Sequence, residues 1–157
     1  MSSLLPRPLL TSLAGAGSAA LLLGAFGFQY LGGMHPCELC LWQRWPHAAA
    51  VVIALAALKL PSRWLALLGM IAALVTAGIG MFHVGVEQGW WEGLQSCTGG
   101  SIASFSAEDI LNPNVAMPAA VRCDAIAWQM WGISMAGWNA IASLGLAVIW
   151  AMAIKRR

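Results

Sequence analysis

The chain has 157 residues, of which 60% are hydrophobic and only 9% charged, with a formal net charge of +2 and a mean hydropathy of +0.75. Soluble domains carry roughly 25% charged residues, so water is excluded as the main solvent and most of the chain belongs in a lipid bilayer. There is no basic cluster interleaved with aromatic residues, which excludes a nucleic-acid partner, and the length fits one domain over 1–157.

Four apolar runs are read as helices over about 11–31, 42–60, 64–86 and 132–154. A helix needs about 20 apolar residues to cross the hydrocarbon core. The first run follows Arg7 as a secretory leader would. It is longer than the roughly 7–15 residue apolar region of such a leader and has no small-x-small cleavage site before Cys37. It is retained as a helix. A short loop, 32–41, leads to the second run, which reaches spanning length only by starting near Leu41, with Arg44 in the interfacial turn.

The tight turn Lys59-Leu60-Pro61-Ser62-Arg63 makes the second and third helices antiparallel neighbours. Small residues recur every fourth position on the third helix (Gly69, Ala73, Ala77) and the fourth (Ser143, Ala147, Ala151). Such ladders let helix backbones approach closely in lipid. The long loop between these helices, 87–131, is broken by Gly99, Gly100, Pro113 and Pro118. Within it, 106–111 reads as a short turn in which Ser106 precedes Asp109 by three residues and Asn112-Pro113 forms the stop. Ile102, Phe105, Ile110 and Leu111 either rest on the bilayer surface or collapse into a small loop core.

Charge sets the orientation. Arg7, Lys59, Arg63, Lys155, Arg156 and Arg157 fall on one side of the membrane. Glu38, Glu87, Glu92, Glu108, Asp109 and Asp124 fall on the other, with only Arg44 and Arg122 among them. Short loops rich in Lys and Arg stay in the cytoplasm, which puts both termini inside and both cysteine-bearing loops outside. Trp42, Trp45, Trp90, Trp91, Trp128 and Trp131 mark the outer interface, Trp64 and Trp150 the inner one. The expected fold is all-α: an integral membrane four-helix bundle with two outer, periplasmic loops, in a bacterial inner membrane.

All four cysteines lie in those loops, Cys37 and Cys40 in the first, Cys97 and Cys123 in the second. In an oxidising compartment the plain reading is two structural disulfides. Cys37-Glu38-Leu39-Cys40, however, closes a ring too small to constrain the unfolded chain much. The same spacing does place one thiol to attack and its neighbour to resolve. Zinc is a third reading, weakened because Cys97 and Cys123 are far apart where zinc sites use closely spaced pairs. Redox chemistry is favoured and no metal is expected. The four cysteines permit three pairings, which spacing alone leaves open.

Arg44 lies four residues after Cys40, one helical turn on, where a guanidinium can stabilise a thiolate and an anionic ligand oxygen. Its alternative role is snorkelling to head groups. His83 sits near the outer end of the third helix among apolar neighbours, and ionisable groups at membrane depth point to function. His35 and His47 carry weaker signals, while Gln29 and Asn139 read as inter-helix hydrogen-bonding residues.

Pro36-Cys37-Glu38-Leu39-Cys40-Leu41-Trp42-Gln43-Arg44 resembles the P-C-x-L-C-x-x-x-R segment of the DsbB family of bacterial disulfide bond formation proteins. Trp131-Gly132-Ile133-Ser134-Met135-Ala136-Gly137-Trp138-Asn139 resembles that family's entry to the last helix. The resemblance implies a protein-disulfide:quinone oxidoreductase. Such an enzyme reoxidises a periplasmic DsbA-like thioredoxin-fold oxidase and passes two electrons to ubiquinone or menaquinone. Carried over by motif, it implies Cys37 and Cys40 as the quinone-coupled pair, with Cys40 next to the ring. Cys97 and Cys123 would be the pair that meets the partner, Cys97 attacked first, and Arg44 and His83 would face the quinone. A DsbA-like partner at about −120 mV lies roughly 180 mV above a structural disulfide near −300 mV, or about 8 kcal/mol, a gap for which the resemblance supplies the quinone. A paralogue serving one dedicated client and a protein with purely structural disulfides are the alternatives. A vitamin-K-epoxide-reductase-like enzyme is disfavoured because C-x-x-C here precedes the second helix.

Overall fold

The computed structural model describes residues 5–94 and 121–156. Among these residues four helices carry the fold: α1 Arg7–Tyr30, α2 Glu38–Lys59, α3 Arg63–Glu87 and α4 Met135–Lys155. Just before α4, the two-residue strands β1 (Gln129–Met130) and β2 (Ile133–Ser134) pair as an antiparallel hairpin. Cys97 and the expected turn at 106–111 lie outside the described residues.

The helix ends follow from local chemistry. α2 starts at Glu38, four residues ahead of the expected 42, because Cys37 acts as its N-cap. Cys37 is extended (φ −73°, ψ 172°) and its sulfur accepts the Cys40 backbone N–H at 3.3 Å. The sulfur thus satisfies a donor that the first turn leaves open, and Glu38 adds negative charge at the positive end of the helix. The C-x-x-C motif is therefore the first turn of a helix, not a stretch of loop. Ser62 caps α3 by accepting from Trp64 N–H, and Ser134 caps α4 by accepting from Gly137 N–H. The hairpin moves the start of α4 from the expected 132 to Met135. Its two central residues, Trp131 (φ 54°) and Gly132 (φ 78°), are both left-handed, as the tightest hairpin turns require.

α1, α3 and α4 are each long and apolar enough to cross a membrane, so the protein is a multi-pass membrane protein. α2 has comparable length, 22 residues, but its first half carries Glu38, Gln43, Arg44 and His47. The helices pack in a ring, α1 on α2, α2 on α3, α3 on α4 and α4 on α1, a four-helix bundle. The opposite end from Cys37 is tied by Arg7, which donates to the carbonyls of Pro61, Ala153 and Arg156.

The tightest seam joins α3 and α4. Ala66, Gly69, Ala73, Thr76, Gly80 and His83 face Ala136, Ala140, Ser143, Ala147 and Trp150, all buried or nearly so at alternating spacings of three and four. This is the repeat of close-packed bundle helices, with small residues admitting the backbones. Trp150 departs from expectation: it is 0% exposed inside the bundle, not at the membrane interface. Gly69 is the cause, since a Cβ there would lie 2.5 Å from the Trp150 indole. Trp42, Trp45, Trp64, Trp90, Trp91 and Trp131 are exposed as a membrane-facing belt demands.

α1 is packed unevenly. Leu10, Thr11, Ala14, Gly15 and Ser18 are buried, and no α1 residue beyond Ser18 is. Gly15 lies against Ala54 and Gly17 against Leu146, so the first half is seated closely. The second half stands off and walls a cavity.

Candidate active site

The site is built where α2 begins. The Cys37 and Cys40 sulfurs are free thiols 2.7 Å apart, Cys37 buried and Cys40 half-buried. The separation lies between a formed disulfide at about 2.05 Å and ordinary contact. His83 Nε2 is 3.6 Å from Cys37 Sγ, and together the three groups offer ligand atoms within 4.8 Å of one another. Two thiolates on tetrahedral zinc, each bonded at about 2.3 Å, would stand about 3.8 Å apart. The sulfurs are too close for that, so the geometry is that of a redox pair. The neighbouring Cys40 sulfur, and then burial, push the Cys37 thiol well above the ordinary thiol range, so Cys37 is the member that keeps its proton.

The second loop reaches the same point. Cys123 is disulfide-bonded and 0% exposed, packed in one apolar cluster with Cys37, Leu39 and Val86. Its carbonyl lies 3.2 Å from His83 Nε2. His83 is thus the meeting point of the C-x-x-C turn and the segment that carries Cys123. Glu87, one turn on from His83, has a carboxylate oxygen 3.8 Å from the same nitrogen.

Arg44 shares the cavity with Cys40 and reaches across it to α1. Its Nη1 donates to Gln29 Oε1 at 2.6 Å and its Nη2 to the Ala25 carbonyl at 3.4 Å. Its guanidinium carbon sits 4.9 Å from the Phe26 ring centre. Among the described residues, its hydrogen bonds run to α1 and not to the Cys40 sulfur. Its Nε is buried with no partner.

Arg44, Cys40, His47 and His83 border a cavity of about 380 Å³, closed on the other side by the second half of α1 and by Trp128 and Trp138. This is within the range of small-molecule sites, about 300–1,000 Å³. His47 Nδ1 is a second buried nitrogen there without a partner. Both nitrogens of His83, by contrast, are engaged by protein groups.

Beneath the thiols runs a polar network that sequence reading largely missed. Gln43 Nε2 contacts His83 Nδ1 (3.1 Å) and the Leu39 carbonyl (3.1 Å). Asn139 Nδ2 donates to Gln43 Oε1 (2.7 Å) and Thr76 Oγ1 (3.2 Å), and Asn139 Oδ1 lies 2.9 Å from His47 Nε2. Asn139 and Gln29 do hydrogen-bond between helices, as expected. Gln43, Thr76 and Glu87 went unnoticed, although Gln43 and His47, like Asn139 and Ser143, are polar pairs at i, i+4 on faces otherwise made of small residues.

Comparison with known proteins returns one consistent answer. The family model described as disulfide bond formation protein DsbB matches residues 7–153. The chain is 36% identical over 134 residues to disulfide bond formation protein B of Methylococcus capsulatus, covering 82% of each chain. It is 35% identical over 144 residues to the protein of that name from Xanthomonas oryzae pv. oryzae, covering 85% of this chain and 81% of the relative. The similarity to the Hahella chejuensis protein is 28% over 153 residues, 88% of each. No solved structure matches.

Proposed function

The chain belongs to the DsbB family of disulfide bond formation proteins, and from that premise we propose that it is a protein-disulfide:quinone oxidoreductase of the bacterial inner membrane. It reoxidises a periplasmic DsbA-like thioredoxin-fold oxidase and passes the electrons to ubiquinone or menaquinone. The observation that carries this reading is the convergence of Cys37 and the Cys123 segment on His83, which brings a loop disulfide to a C-x-x-C pair.

The reaction proceeds by thiol–disulfide exchange alone. A thiolate of the partner attacks Cys97, forming a mixed disulfide and leaving the electron pair on Cys123. Cys123 attacks Cys37 of the oxidised C-x-x-C pair, and the electron pair moves to Cys40. The partner's second thiol then frees Cys97, which attacks Cys123 and releases Cys37. Each step exchanges one sulfur–sulfur bond for another. The partner has lost two electrons and two protons, which arrive at Cys37 and Cys40 as a dithiol.

A bound quinone supplies the sink for those two electrons and two protons. The cavity fits such a group: its walls are mostly apolar side chains, and among the described residues one buried donor on its lining residues, Arg44 Nε, lacks a partner. Arg44, a pure donor, would hold a quinone oxygen, with Cys40 on the same cavity. His83 borders the cavity too, and its Nε2 also contacts the Cys37 sulfur. With the Cys37 end in the periplasm, the end tied by Arg7 faces the cytoplasm, in keeping with its basic residues.

The test mixes purified protein, a reduced thioredoxin-fold oxidase and ubiquinone, and follows quinone absorbance. Steady consumption that disappears in Cys40→Ser is expected. A wild-type protein that consumes no quinone would overturn the reading and favour purely structural loop disulfides.

A further inference from the structure

Resting on that reading, we propose that Gln43 is a positioning residue. Held by Asn139, it fixes His83 as the tautomer with its proton on Nε2, shared between the Cys37 sulfur and the Cys123 carbonyl. The Leu39 carbonyl decides the matter, because a carbonyl oxygen only accepts. It lies 3.1 Å from one end of the Gln43 amide, so that end is the NH2 group. The second hydrogen of that NH2 meets His83 Nδ1 at 3.1 Å, and Nδ1 must then be the acceptor. A neutral imidazole with Nδ1 accepting carries its hydrogen on Nε2.

The far side of the network agrees. Gln43 Oε1 accepts from Asn139 Nδ2, whose other hydrogen goes to Thr76 Oγ1. The Thr76 hydroxyl is donated to the Gln43 main-chain carbonyl at 3.1 Å. Asn139 Oδ1 is left to accept from His47 Nε2. Reversing the Gln43 amide would set oxygen against the Leu39 carbonyl. The other end of His83 gives an independent check: Nε2 faces the Cys123 carbonyl, itself acceptor only.

The consequence falls on the step that releases Cys37. When Cys97 attacks Cys123, the Cys97–Cys123 bond forms, the Cys123–Cys37 bond breaks and the electron pair stays on Cys37 Sγ. An N–H already aimed at that sulfur stabilises the thiolate as it forms. The other tautomer would present a lone pair to it. Gln43 and Asn139 also border the cavity; in this role they act through His83.

The experiment records nitrogen NMR of 15N-histidine-labelled protein in detergent, with the His83 signals assigned from their loss in His83→Gln. The wild type is expected to show a protonated Nε2 and a bare Nδ1 for His83. In Gln43→Met, which keeps length but not the donor, only the Cys123 carbonyl still favours Nε2–H, and a fraction with the proton on Nδ1 appears. Turnover then falls about tenfold, the effect of one hydrogen bond on a rate. A wild-type signal from Nδ1–H overturns the proposal, and so does a Gln43→Met protein with the original tautomer and turnover. If Gln43→Met does not fold, the wild-type spectrum alone still decides the tautomer. The spectrum needs neither partner nor quinone, so it stands apart from any failure of the oxidoreductase reading.

Discussion

Replacing Arg44 by Ala separates ligand binding from thiol exchange. The guanidinium has five N–H donors; Nη1 and Nη2 are engaged by Gln29 and Ala25 of α1, and Nε has no acceptor among the described residues. An unpaired buried donor costs about 1–3 kcal/mol, and a hydrogen bond from a charged group contributes about 1.5–3 kcal/mol. A quinone oxygen meeting Arg44 therefore gains on that order. At about 1.4 kcal/mol per factor of ten, Arg44→Ala raises the apparent KM for ubiquinone about 10- to 100-fold. The KM for the reduced thioredoxin-fold partner stays put, because its exchange runs through cysteines on the second loop. Quinone absorbance at varied ubiquinone gives the first constant, and varied partner gives the second. Gln29→Leu is the control: it removes an α1 acceptor from Nη1 while leaving Nε in place, and it should shift the quinone KM much less. An Arg44→Ala enzyme with an unchanged quinone KM would refute the assignment of Arg44 to the ligand.

Three further outcomes follow from packing and sulfur geometry. Gly24 lines the cavity, and a Cβ there meets no atom within 4 Å; Gly24→Leu should raise the quinone KM about tenfold by filling the site while Tm holds or rises. A Gly24→Leu protein of unaltered KM would show that the ligand lies elsewhere. Gly69→Val drives a side chain into the Trp150 ring, an overpacking that costs about 1–3 kcal/mol; a lower Tm is expected, and an unchanged Tm would mean the seam yields. In Cys40→Ser, Cys37 has lost its near partner and should be recovered linked to Cys123 in peptide maps made without reductant. Cys37 found fully alkylated would contradict the proposed exchange.

Much of the scaffold was legible because hydropathy and charge act over whole segments. Four helices, the turn after Lys59 and the ladders on α3 and α4 follow from composition and spacing. What escaped depended on single contacts across the bundle. Cys37 as a cap could not be foreseen, since a thiol is an unusual substitute for a hydroxyl or carboxylate, and the start of α2 was placed too late as a result. Trp150 was assigned to the interface by residue type, and only its apposition to Gly69 explains its burial. Arg44 was placed by helical spacing from Cys40, a rule blind to Gln29 and Ala25 on another helix. The network around Gln43 joins residues 40 and 96 positions apart, a separation that no local pattern reports.

The uneven seating of α1 divides the molecule's tolerance to change. Its first half is wedged against Ala54 and Leu146, where any added atom collides. Its second half meets open space at Gly24 and Gly27. Selection acting on ligand size can therefore work on one half-helix without touching the residues that hold the bundle together. On the proposed function, variants that exchange one lipid-soluble acceptor for another are accessible by single substitutions there, each nearly neutral for folding. Stability and ligand choice are thus free to evolve independently within a single helix.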